Sequence, residues 1–173
     1  MDSRVRAGWT AKGAVGFLWS AGRNENKGFP HPYINAATFH TSDLSYKDRP
    51  SIWSKTNAWT WAAAYPNERG DVAIALWKMS DTTDPQLYVG IDDDFTGTSS
   101  PWQMQQVVSS TTSLTGINWG DYLRVRPHAP AGLGWILSGF VAVKKGSDTV
   151  IEPHFVIFGR ERDEWSVKRW WAQ

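Results

Sequence analysis

Apolar positions in this chain fall in short runs rather than along a helical stripe. Asp71 to Trp77, DVAIALW, joins apolar and β-branched residues over a length too short for a helix, directly after the turn-forming PNERG. AVGFLW (Ala14 to Trp19), LYVGI (Leu87 to Ile91), WQMQQVV (Trp102 to Val108), GWILSGFVAV (Gly134 to Val143) and HFVIFG (His154 to Gly159) read the same way, each bounded by Gly, Pro, Asn, Asp or Ser. No segment carries an amphipathic helical pattern longer than about two turns, and RDEWSVKRWWAQ at positions 162–173 comes nearest. The pattern predicts an all-β chain.

The runs also repeat. DVAIALW is followed by a loop and then by PQLYVGI from Pro85; AVGFLW by a loop and PYINAATF from Pro32; GWILSGF by a loop and PHFVIFG from Pro153. A further piece follows each time: LSYKDRPSIW from Leu44, WQMQQVV from Trp102, EWSVKRWW from Glu164. A leading piece is clear twice, as AWTWAAAYPNERG from Ala58 and WGDYLRVRPHAPAG from Trp119, and RVRAGWTAKG from Arg4 supplies the first copy. The order is three repeats of four short antiparallel strands, roughly residues 1–55, 56–112 and 113–173 of one propeller segment. Four-stranded sheets repeated radially describe a β-propeller, so the expected fold is all-β and propeller-like, with about three blades and the leading strand of each innermost. Trp19, Trp77 and Trp135 recur on the second strands and are expected in the core between blades. Trp9, Trp53, Trp59, Trp102, Trp165, Trp170 and Trp171 fall near segment ends, where an aromatic ring stacks on a sugar or buries against a partner.

Counting blades adds an expectation about partners. Propellers close with about four to eight blades, and three would leave an apolar face at each end. A homo-oligomer is expected, a dimer whose copies complete one ring, unless the missing blades belong to a longer chain. In such a dimer Trp170 and Trp171 would pack on the partner near its Trp9.

Composition narrows the function classes. The chain has 173 residues with a formal net charge of +1, which gives no long-range field for nucleic acid or an anionic membrane. No apolar run nears the roughly 18 residues of a membrane span, and the opening MDSRVRAGWTAKG has no apolar signal core. As written the chain is expected in the cytosol, and outside the cell if it was cut from a longer secreted precursor. Cysteine is absent, which excludes disulfides and thiolate zinc sites, whereas tryptophan occurs twelve times.

Candidate chemistry concentrates in Asn118 to Pro130, NWGDYLRVRPHAP. Alternation along a strand places Tyr122, Arg124 and Arg126 on one face and Leu123 and Val125 on the other. Two guanidiniums and a phenol on one face suit a channel or cleft, where arginine grips carboxylates or phosphates through paired hydrogen bonds. With the adjoining Trp119, Asp121 and His128, these are the candidate ligand-binding residues. The competing reading has Asp121 capping a turn, both arginines paired with Asp71 or Glu68 of the preceding repeat, and His128 as a turn residue with no second histidine at ligand spacing. IDDDFTG, Ile91 to Gly97, offers Asp92 and Asp94 to a hard cation such as calcium, although successive residues of an extended segment point in opposite directions and Asp with Gly is ordinary turn chemistry. No other cofactor is implied. The chain lacks a Gly-x-Ser-x-Gly elbow, a Walker loop, a dinucleotide fingerprint and His-Glu-x-x-His.

NERGDVAIALW, PQLYVGIDDDF, NWGDYLRVRPHAPAGLGWILSGF and IEPHFVIFGRER together resemble the C-terminal blades of bacterial sialidase-like, BNR-type β-propeller proteins, over nearly the whole chain. The resemblance implies propeller blades and, for many such proteins, secretion. It does not bring the activity with it: the Ser-x-Asp-x-Gly-x-Thr-Trp box is absent, and the arginine triad, acid Asp and Tyr/Glu nucleophile pair of sialidases find no matching positions. Three functions remain: a module binding a glycan or another extended polymer, ranked first; a sialidase-like glycoside hydrolase or part of one; and a structural scaffold.

Overall fold

The computed structural model describes residues 4–48, 51–96, 102–113, 122–129 and 132–163. Every regular element among them is a strand, apart from two single 3-10 turns at Glu25–Lys27 and Glu161–Asp163. The first sheet runs β1 (Val5–Ala11), β2 (Ala14–Ala21), β3 (Tyr33–His40), β4 (Tyr46–Asp48). The second runs β5 (Ala58–Pro66), β6 (Val72–Ser80), β7 (Thr83–Asp92), β8 (Gln103–Ser109). The third holds β9 (Arg124–Pro127), β10 (Trp135–Lys145) and β11 (Asp148–Phe158). All neighbouring strands are antiparallel, and none of the three sheets closes on itself. One sheet falls in each sequence repeat; the fourth piece expected in the last, from Glu164, lies outside the described residues.

Local chemistry explains the turns. Between β1 and β2 stand only Lys12 and Gly13, both at positive φ (47° and 71°), the backbone of a tight hairpin turn whose twist matches its strands. In β5, an extra residue opposite β6 puts Trp61 at φ 48° and shifts the alternation by one. Trp59, Ala62 and Ala64 therefore pack toward the first sheet, while Trp61 and Ala63 pack toward the third.

The sheets stack through two apolar layers. Between the first and second lie Trp9, Leu18, Ile34, Ala36 and Ile52 against Trp59, Val72, Ile74, Leu76 and Trp102. Between the second and third, Ala73, Ala75, Trp77, Leu87, Val89 and Ile91 meet Leu123, Val125, Trp135, Leu137 and Val141. Alternate residues of β6 enter the two layers, which is why DVAIALW is apolar throughout rather than alternating. The leading strands of the three sheets run side by side, β1 against β5 and β5 against β9.

The tryptophans correct the expectation in two ways. Trp77 and Trp135 are buried between the sheets as expected, but Trp19 is half-buried on the outward face of β2, because it alternates with Leu18 and Ser20, which face inward. Trp9, Trp59 and Trp102, expected at ligand or partner surfaces, are buried between the first two sheets, so Trp9 is not available to a partner copy. Trp53 is exposed, and Trp165, Trp170 and Trp171 lie outside the described residues.

Candidate functional site

Two hollows are built from the same three sheets. The first is a groove of about 260 Å³ along the leading strands. Its wall combines Arg6 from β1, Tyr65 from β5, and Arg124 and Arg126 from β9. The expected alternation holds: Arg124 and Arg126 are exposed, whereas Leu123 and Val125 are buried in the layer below. The Arg126 guanidinium lies 4.8 Å from the Tyr65 ring centroid and donates from Nη1 to the Val125 carbonyl at 2.9 Å. Neither arginine meets a carboxylate among the described residues, so the pairing with Asp71 or Glu68 does not form. Asp71 is instead held by Lys12 at 2.6 Å and Arg69 at 3.1 Å, and Glu68 packs its side chain against Gly132.

The other sequence candidates separate from this groove. Tyr122 is exposed just before β9. His128 is buried past its end, in a turn where its N–H donates to the Gly134 carbonyl and its carbonyl accepts from Gly132 N–H, both at 2.9 Å. Trp119 and Asp121 lie outside the described residues. Sequence reasoning missed Arg6 and Tyr65. A signal for Arg6 was present, because Arg-Val-Arg opens the leading strand at positions 4–6 as well as at 124–126.

The second hollow, about 270 Å³, opens at the rim between the first and second sheets. Trp9 and Trp102 form its inner wall, their rings edge to face with centroids 6.4 Å apart. Trp9 can lie there because its cross-strand partner is Gly16, where a Cβ would overlap the indole. Lys12 from the β1–β2 turn, Thr38 from β3, Lys47 and Asp48 from β4, Asp92 from the end of β7, and Asp93 and Asp94 after it supply its polar lining.

Around this rim most carboxylates are matched to cations. Arg69 holds Asp163 through two bonds of 2.8 and 2.6 Å, Arg160 grips Asp93 through two of 2.7 Å, and Arg162 takes Asp94 at 3.0 and 2.8 Å. Arg160 and Arg162 also flank the Phe95 ring. The Asp163 bonds push the Arg69 guanidinium pKa up despite its partial burial. Burial pushes the Asp93 carboxyl up, but Arg160 and the Phe95 N–H outweigh it and hold it below the usual range. Asp71 behaves likewise, its burial outweighed by Lys12, Arg69 and Asn67. Asp92 is different. Burial raises its pKa, and the Asp48 and Asp93 charges add to the rise, while a Thr96 hydroxyl 3.1 Å from Oδ1 opposes it.

These contacts show Asp92 to Thr96 as a turn; Gly97, the last residue of IDDDFTG, lies outside the described residues. Asp93 Oδ1 accepts from the Phe95 N–H, and the Thr96 hydroxyl accepts from the Asp93 N–H. Asp94, a cation candidate with Asp92, spends both oxygens on Arg162. Among the described residues no group of three or more His, Asp or Glu is arranged to hold a metal ion. No protein-family model, curated protein or solved structure matches the chain.

Proposed function

We propose that the chain is a binding module that holds an extended anionic ligand, a glycan in the first instance, in the groove along β1, β5 and β9. One observation carries this reading: Arg124 and Arg126 line a single groove beside Tyr65, and among the described residues no acidic side chain is in its wall. Arg124 and Arg126 meet no carboxylate among the described residues, so their guanidiniums can make paired, charge-assisted bonds to a carboxylate or phosphate of a ligand, and the phenol ring offers a stacking surface. The test is an array of acidic and neutral glycans read against the parent and Arg124→Gln/Arg126→Gln. Acidic ligands should bind preferentially, and the double change should weaken them roughly a hundredfold or more, since each lost bond to a charged group counts for about 1.5 kcal/mol or more. Equal binding of neutral and acidic glycans, or unchanged affinity in the double variant, overturns it. Hydrolysis of chromogenic glycosides would instead support the sialidase-like enzyme.

The same reading treats the three sheets as blades of a propeller-like ring that a second copy completes. Its support is the chemistry of the two end faces. Phe17, Phe39 and Tyr46 form an aromatic row on the first sheet, with centroids 6.5 and 6.0 Å apart, and Ile151 and Phe155 are exposed on β11. Two chains of three blades would cover both faces with one closed two-fold arrangement. Light scattering at micromolar concentration should show a dimer. A stable monomer with no other blades present removes the assembly and leaves the scaffold role without support.

A further inference from the structure

We propose that the rim cavity between the first and second sheets is a binding site for a small organic cation, an ammonium or guanidinium group carried on an apolar stem. The inference is independent of the groove. It starts from a difference among the carboxylates that line the cavity: Asp93 and Asp94 are each bonded to an arginine, whereas Asp48 and Asp92 have no ion-pair partner among the described residues. Asp92 is also crowded by like charge, from Asp48 and from Asp93. A cation entering between Asp48 and Asp92 therefore meets two unmatched carboxylates and relieves their repulsion.

Shape and size agree with that charge. The inner wall is indole from Trp9 and Trp102 with the small apolar surface of Ala11, Ala14 and Val72, suited to an alkyl stem and to a cation over an aromatic ring. A volume near 270 Å³ is roughly nine waters' worth, enough for a side-chain-sized group and below the size of most drug-like pockets. The opposing charges are two: Lys12 is held by Asp71, and Lys47 lines the cavity at its exposed edge.

Ligand-observed NMR and calorimetry with n-butylammonium and n-propylguanidinium, against n-butanol as the uncharged match, test the site. Both cations should bind and n-butanol should not. Asp92→Asn and Asp48→Asn should each weaken the cations about tenfold, the scale of one lost close charge. Lys47→Met should strengthen them, and it decides the matter if an aspartate variant fails to fold. Putrescine and an end-blocked lysine peptide distinguish a free amine from a protein side chain as the natural source, either result supporting the site. Equal binding of n-butanol, indifference to all three substitutions, or displacement by micromolar calcium overturns it. Arg124→Gln/Arg126→Gln should bind butylammonium like the parent; loss there would mean that the ligand sits in the groove instead.

Discussion

The two junctions between sheets are built from similar apolar layers, yet they end differently at the rim. Between the second and third sheets the layer is continued by polar ties. The Trp135 indole N–H donates to the Tyr65 carbonyl at 3.0 Å, Glu68 N–H bonds the Gly132 carbonyl at 3.1 Å, and Thr111 N–H bonds the Ala142 carbonyl at 2.9 Å. Arg69–Asp163 and Arg160–Asp93 then cross the junction at its rim. Between the first and second sheets the described ties are Trp59 N–H to the Pro32 carbonyl, Trp61 N–H to the Ser20 hydroxyl, and Lys12 to Asp71. That junction opens at the rim into the cavity flanked by Asp48 and Asp92. A buried carboxylate with its guanidinium is a fastener, and one without is a cost to folding that a ligand can relieve. The contrast separates a junction that holds the fold from one that holds a site.

The largest effect should come from the sealed junction. Trp77 is fully buried, with its ring 5.4 Å from Phe140, so Trp77→Ala should cost about 3 to 5 kcal/mol by emptying a large volume that neighbours fill only in part. Urea unfolding followed by circular dichroism measures it. A variant as stable as the parent would mean that this layer does not hold the sheets together.

A smaller loss is expected from the rim of the same junction. Arg160→Met leaves the Asp93 side chain buried, 0% exposed, without its guanidinium, at a cost of about 3 kcal/mol at neutral pH. Burial and the Arg160 bonds oppose each other at Asp93, and the net pKa is lowered, so the stabilisation is present above the ordinary aspartate value of 3.8 and is lost as pH falls through the folded value. Parent and variant should therefore converge in acid. Parallel curves across pH would show that Arg160 acts through packing alone.

How much of this was legible depended on the range of the interaction. Strands and repeats are local: DVAIALW, its turn PNERG and the Pro-led PQLYVGI announce β6 and β7, and the structure places both there. The alternation of Arg124, Val125 and Arg126 was equally readable, since it needs only a strand. Which face of a strand meets which sheet is not local. Trp19 and Trp77 look equivalent as the last large residue of AVGFLW and DVAIALW, but β2 turns Leu18 inward while β6 turns both faces inward. The rim could not be read at all. Asp93 and Arg160 are 67 residues apart, and nothing near IDDDFTG marks the middle aspartate as paired and the first as unpaired.

The smallest effect, and opposite in sign, belongs to Asp92→Asn. Its carboxyl is raised in the fold by burial first and by Asp48 and Asp93 next, so the folded state holds its proton more tightly than the unfolded chain does. Above the folded pKa the ionised group opposes folding; as pH falls toward the ordinary 3.8 it protonates and the penalty fades. Asparagine keeps an acceptor for the Thr96 hydroxyl, 3.1 Å from Oδ1 in the parent, and carries no charge. At pH 7 the variant should therefore melt at or slightly above the parent temperature, with the gap closing in acid. Two adjacent carboxylates would then respond in opposite directions, Asp93 losing stability with its partner and Asp92 gaining it with its charge. If Asp92→Asn instead lowers the melting temperature as Arg160→Met does, Asp92 is a structural partner like Asp93, and the first junction is sealed by a contact that its charges do not reveal.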